Sequence, residues 1–247
     1  MGVDDLTSEA VAQALPRRAV RVYPALLSTE SDALAWARSG APEGSLVLAD
    51  YQASPRGRAG LEWTVEPGVT VAFSLILRPA LTSEKEGWLY TVGTSGLADA
   101  VGAHATIGWP DEIRLQGRRA AAVGVHAELG PEGVAWAVLN LIVARSERPR
   151  VEMVAEVVTR IEQRYESAPA AVLGDYLPRL ETIGRRVRAR LIPMGPGGPQ
   201  IVGRAIGSVL DGALLIQTDK GNRVAVRPQH LGLLEDAGQS STEASSG

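Results

Sequence analysis

At Gly184 the hydrophobic pattern of this chain changes its grain, and that change limits the possible folds more than any other feature. Before it, apolar runs of strand length alternate with segments of helical spacing. After it, VRARLI, IVGRAIGSV, GALLIQT and RVAVRPQ are divided by MGPGGP, LDG and DKGN. Short strands closed by Gly, Pro, Asn and Asp turns are the signature of a small barrel. One uniform architecture cannot accommodate both halves. The 247 residues are 45% apolar, enough for a large domain plus a small module. The reading is therefore an N-terminal arm (1–19), a main domain (20–184), a small barrel (185–235) and a flexible polar tail, DAGQSSTEASSG (236–247).

Within the main segment, RVYPAL reads as a strand. The helix STESDALAWARSG follows, with Ser28 or Thr29 as cap, Glu30 and Asp32 in the first turn, and Gly40 as stop. SLVLADYQ (45–52) has the length of a buried strand, SPRGRAG is a loop, and VTVAFSLILRP (69–79) is a strong strand. Residues 86–102 have helical spacing through Trp88, Leu89, Val92 and Leu97. VGVHAEL and WAVLNLIVAR flank the turn GPEG as a hairpin. RVEMVAEVVTRIEQRYES (150–167) is amphipathic, with Val151, Val154, Val158 and Ile161 on one face, and a second helix is expected from about Ala170 to Gly184. Arg185–Arg190 alternates charged and apolar residues as a strand with one wet face does.

Composition removes several functions. There is no cysteine, so disulfides, thiol catalysis and thiolate metal sites are excluded. No apolar run approaches the ~18 residues of a membrane span. The N-terminal MGVDDLTSEA lacks the basic and apolar regions of a signal peptide. A cytoplasmic protein without a membrane partner is expected. The net charge of −3 argues against nucleic acid as a partner. His104, His126 and His230 show no ligand spacing, so no metal site is expected. Lys85 and Lys220 are the sole lysines among the 25 basic residues.

Six short motifs then fall in one order. They are Ser28-Thr29-Glu30, Ala49-Asp50-Tyr51-Gln52, the stretch from Pro55 to Trp63 (PRGRAGLEW), Gly108-Trp109-Pro110-Asp111-Glu112, Gly117-Arg118-Arg119, and Asn140. Together with the C-terminal GRAIGSVLDGALLIQTDKGNRVAV, they resemble the bacterial biotin protein ligases over roughly residues 20–235. More narrowly, the chain is similar to the class without an N-terminal DNA-binding domain. The resemblance implies an α+β fold, a biotin/lipoate ligase-like mixed sheet flanked by helices, followed by a small SH3-like β-barrel. It also implies a chemistry: biotin and ATP, with Mg²⁺, give biotinyl-5′-AMP, and a lysine of a biotin carboxyl carrier domain then takes the biotinyl group. A homodimer or a complex with a related ligase is a further partner it suggests.

By the same resemblance, Arg119 and Arg58 are the catalytic cations. Ser28, Thr29, Gln52, Arg56, Gly57, Arg58, Gly60, Trp63, Trp109, Pro110, Asp111 and Asn140 are the ligand- and nucleotide-binding residues. Adenylation brings anions together and builds charge on phosphate oxygens, so such a site needs fixed cations and N–H donors. At the charged positions this sequence departs from the family. Pro55 replaces a glycine, Ala59 and Leu61 replace arginines, Gly108 and Arg119 replace lysines, and Asp111-Glu112 stands for Asn-Asp. Trp136 and Val138 replace the glycines of Gly-x-Gly-x-Asn. Neither Lys85 nor Lys220 aligns with a family lysine. The departures leave three functions open: a ligase of weakened or lost activity, an inactive homologue that binds a ligand or partner, and a ligase for lipoate or another acid.

Overall fold

Every residue of β3 (Val71–Leu77) is buried, which requires a central strand in a sheet covered on both faces. The structure, a computed structural model, describes residues 5–58 and 63–238. Gly60, its neighbours Ala59 and Leu61, residues 1–4 of the expected arm and 239–247 of the expected tail lie outside the described residues. The sheet has seven strands in the order β1 (Val20–Leu26), β2 (Leu46–Gln52), β3, β7 (Gly133–Val143), β6 (Arg118–Gly130), β5 (Glu112–Leu115), β4 (Thr106–Gly108). β1 and β2 are parallel and joined by α2 (Thr29–Arg38). The other neighbouring pairs are antiparallel.

The two faces are covered differently. Along β7, Ala137, Leu139, Leu141 and Val143 join the main core under α3 (Trp88–Val101) and α4 (Arg150–Glu166). The alternate residues Trp136 and Val138 pack with Ala33 and Ala37 of α2, as the two-residue period of a strand demands. The buried stripe of α4 is Met153, Val154, Val157, Val158 and Ile161, so Val151, expected on that face, lies at its margin. α1 (Ser8–Ala14) is capped by Thr7 and buries Val11. Arg150, at the start of α4, donates to the carboxylates of Asp5 and Asp50 and so ties the N-terminal segment and β2 to that helix.

The helix expected to reach Gly184 is shorter: α5 spans Pro169–Tyr176, and one 3-10 turn follows at Leu177–Arg179. Pro178 has no N–H for the i→i−4 ladder, so the α-helix ends there. A second, antiparallel sheet is ordered β11 (Arg223–Val226), β10 (Leu214–Thr218), β9 (Gln200–Ser208), β8 (Arg186–Leu191), β12 (Leu231–Asp236). β8 buries Val187 and Ala189 and exposes Arg186, Arg188 and Arg190, one wet face as read. β12 has no counterpart among the strands read from sequence, because Gly232 interrupts its apolar alternation.

Helices α3 and α4 approach closely because α3 carries Gly96. A β-carbon there would lie 2.6 Å from the Ile161 backbone. Gly96→Ala is expected to cost about 1–3 kcal/mol, the usual range for overpacking a core, seen as a lower urea midpoint with an unchanged m-value.

Candidate functional site

Four buried polar side chains lie on the α2-covered face of the sheet, where nothing but partnership with each other compensates the loss of water. Gln52, at the end of β2, accepts from the Thr29 N–H at 2.9 Å, and its Oε1 lies 3.3 Å from the Thr29 hydroxyl. Thr29 Oγ1 is 2.9 Å from Ser74 Oγ on β3, and the Ser74 hydroxyl donates to Asn140 Oδ1 on β7 at 2.7 Å. Thr29, Gln52, Ser74 and Asn140 are all buried. Ser28 caps α2 by accepting the Glu30 N–H at 3.2 Å. The chain ends on Glu30, whose carboxylate bonds to the Asn140 side chain. Burial raises the Glu30 pKa, against the lowering effects of that bond and of the His126 and Arg56 charges.

The loop before the undescribed 59–62 segment lies on this face. Gly57 rests against Gly124 of β6: a β-carbon on Gly124 would be 3.2 Å from the Gly57 carbonyl carbon, and one on Gly57 would strike the Trp63 indole at 2.4 Å. Only glycine permits this approach of backbone to sheet. Trp63 is buried over Ala72, Ala122 and Ile142. Arg56 is exposed, its Nε donating to Ser54 Oγ at 3.3 Å.

Arg58 and Trp109, both expected to face a ligand, hold the second sheet. Arg58 is 6% exposed. Its Nη1 donates to the Leu231 and Gly232 carbonyls at 2.6 and 3.2 Å, and its Nε lies 3.3 Å from Asp111 Oδ2. Trp109 donates its backbone N–H to Thr182 Oγ1 and its indole N–H to the Gly212 carbonyl, each at 2.9 Å. Asp111, expected among the nucleotide-binding residues, is buried at 5% exposure. Burial raises its pKa despite Arg58, and Glu112 pushes the same way. Pro110 is buried beside it.

At the far corner of the same face, Glu112 sits between two arginines. Its Oε1 is 3.6 Å from Arg119 Nε and its Oε2 is 2.9 Å from Arg114 Nη2. Arg119 is well exposed, 42% for the side chain, and lines a hollow with Trp63 and Ile142. Arg114 lines a cleft of about 270 Å³ with Gly108, Trp109, Asp111, Glu181 and the edge of β12. The structure thus gathers Thr29, Gln52 and Asn140 in one network, leaves Arg56 and Arg119 open to solvent, and turns Arg58 and Trp109 toward the second sheet.

Ser74, Glu30 and Arg114 were not among the residues expected in the site. Ser74 carried a signal, as the one polar residue in VAFSLIL. Glu30 carried one as the third residue of the first motif, and Arg114 carried none, because an arginine on a short strand is ordinary. His126, read as isolated, stacks on Trp136 with centroids 6.0 Å apart.

No family model matches the chain. It is 30% identical over 226 residues to the biotin--[acetyl-CoA-carboxylase] ligase of Mycobacterium tuberculosis, covering 81% of this chain and 82% of that one. It is 25% identical over 232 residues to the bifunctional ligase/repressor BirA of Bacillus subtilis, covering 81% of this chain and 69% of that one. In fold it is similar to the biotin protein ligase from Aquifex aeolicus solved in complex with biotin and ATP. That match has a TM-score of 0.69 at 18% identity and covers 89% of this chain and 99% of that one.

Ser74→Ala leaves Asn140 Oδ1 without its donor. A loss of about 1–3 kcal/mol is expected, measured as a lowered denaturant midpoint. An unchanged midpoint would mean that the chain of bonds does not hold the sheet to α2.

Proposed function

The chain belongs to the biotin protein ligase family, and on that premise we propose that it activates biotin with ATP and transfers it to a carrier lysine, at a reduced rate. In the first step a carboxylate oxygen of the acid attacks the α-phosphorus, the α–β anhydride bond breaks and pyrophosphate leaves. In the second, an ε-amine of the carrier attacks the mixed anhydride, loses a proton and releases AMP. The carrier is a biotin-accepting domain of a carboxylase, in line with the Mycobacterium tuberculosis relative's name. No helix among the described residues is long and apolar enough to cross a membrane, and a cytoplasmic place of work is part of this reading.

The observation that carries the proposal is the Thr29–Gln52–Ser74–Asn140 chain, lying on the same sheet face as Arg119. It supplies oriented donors and acceptors for the polar end of the acid. Arg119 and Arg56 supply exposed positive charge toward the phosphates. Magnesium enters as the counter-ion that the nucleotide carries.

The reduced rate follows from the charges. Arg58 is directed to Asp111 and to the carbonyls of β12. Arg119 is shared with Glu112, and its planar fork does not replace a compact ammonium. Losing one transition-state donor costs a factor of ~10²–10³. A changed acid is a second reading with its own observation: Trp136 and Val138, where the family has glycines, fill the sheet under α2.

Biotin-dependent ATP–pyrophosphate exchange tests both. A slow exchange is expected, ~10²-fold or more below a ligase with both lysines, and Arg119→Lys should raise it several-fold. Exchange with lipoate or a shorter acid but not with biotin would establish the second reading. No exchange with any acid, together with intact ligand binding, would leave a binding protein in place of an enzyme.

A further inference from the structure

We propose that Arg114 supplies the phosphate-facing positive charge that the chain lacks at Gly108. The proposal rests on the adenylation reading above and names a residue that the family motifs do not include. Gly108 of β4 and Glu112 of β5 are paired across an antiparallel ladder, and Thr106 is paired with Arg114. Alternation along the two strands places Gly108, Glu112 and Arg114 on one face, because Ile107 and Ile113 between them are in the main core. A β-carbon built on Gly108 would stand 3.5 Å from Arg114 Nε and 3.8 Å from Glu112 Oε2. Those are ordinary contacts, so a side chain fits at 108. Its course from there runs over the ground that the Arg114 guanidinium holds. The missing side chain and the added one share the same space, reached from neighbouring strands.

Arg114 is held rather than loose. Glu112 Oε2 receives its Nη2 at 2.9 Å and its Nε at 3.3 Å. Glu181 Oε1 lies 3.5 Å from its Nε and 3.3 Å from Arg185 Nη2. Glu181 is itself fixed by the Thr106 hydroxyl at 2.8 Å. Around these two carboxylates stand three guanidinium groups, those of Arg114, Arg119 and Arg185. Arg114 and Arg185 line the Gly108 cleft, and Arg119 lines the neighbouring hollow with Trp63. The buried carboxylate there, Asp111, faces Arg58, Glu235 faces Arg190 at 3.0 Å, and Asp236 lines the cleft beside Glu235. A phosphate group entering the cleft meets Arg114, a third exposed, as a guanidinium already oriented by Glu112 and Glu181.

The charge swap is the test, read as Mg·ATP affinity by calorimetry and as KM and kcat for pyrophosphate exchange. A charge-assisted contact of the usual strength corresponds to roughly 10–100-fold in affinity, so Arg114→Ala is expected to weaken ATP by at least tenfold. Gly108→Lys in the Arg114→Ala background should return it most of the way, because the charge comes back from the other strand. Arg114→Gln keeps a donor to Glu112 without the charge, and should fall with Arg114→Ala if that variant folds poorly. Arg223→Ala, on exposed β11, is the control for general surface charge. Wild-type affinity retained in Arg114→Ala or Arg114→Gln would overturn the assignment and leave the adenylation reading standing. A loss that Gly108→Lys does not restore would also overturn it, marking a structural role. Failure of the wild type to bind ATP would overturn both.

Discussion

The buried hydrogen-bond chain from Gln52 through Thr29 and Ser74 to Asn140 fixes more of this molecule than any apolar contact does. Its members come from the end of β2, the start of α2, the middle of β3 and the middle of β7. An unpaired polar group at this depth costs about 1–3 kcal/mol. The four elements therefore have to meet in one register. That register sets α2 over Trp136 and Val138 and leaves the adjoining part of the sheet to the Gly57 loop and Trp63. A surface with oriented polar groups at its centre and glycine-lined backbone beside it follows from the partnership requirement. The proposed acid recognition would use what that requirement has already built.

Charge is arranged on a different logic. Arg58 and Trp109 are drawn to the second sheet, where the β12 and Gly212 carbonyls and Asp111 occupy them. The gain is a firm junction between the sheets, and the loss, on the proposed reading, is a cation for the ligand. The corner at Glu112 counters that loss. One carboxylate holds Arg114 and Arg119 on its two oxygens, and Glu181 holds Arg114 and Arg185. Pairing of this kind orders long side chains before a ligand arrives, at the expense of part of their field. On the proposed reading, that balance gives a site with positive charge for phosphate and less of it than free lysines would supply.

Much of the architecture was legible from residue patterns. The continuous apolar run of VAFSLIL marked the central strand, and the stripe on α4 and the turn-punctuated segment after Gly184 were equally clear. The failures have local causes. Pro178 ended a helix expected to run to Gly184, and Gly232 hid β12. In the site, motif order named Thr29, Gln52 and Asn140, and the structure brings the three into one hydrogen-bond network. It could not place Arg58, because its direction depends on carbonyls more than 170 residues away. Nor could it find Arg114, whose relation to Gly108 exists only across a ladder.

The central claim is that this face still forms an acyl-adenylate site, with its polar recognition intact and its positive charge carried by exposed arginines. Calorimetric titration with a non-hydrolysable biotinyl-adenylate analogue, at about 50 mM and about 300 mM salt, tests it most directly. The account predicts binding that weakens clearly at the higher salt, because exposed charges are screened within a Debye length of about 10 Å or less under such conditions. Absence of binding, or binding indifferent to salt, would contradict it.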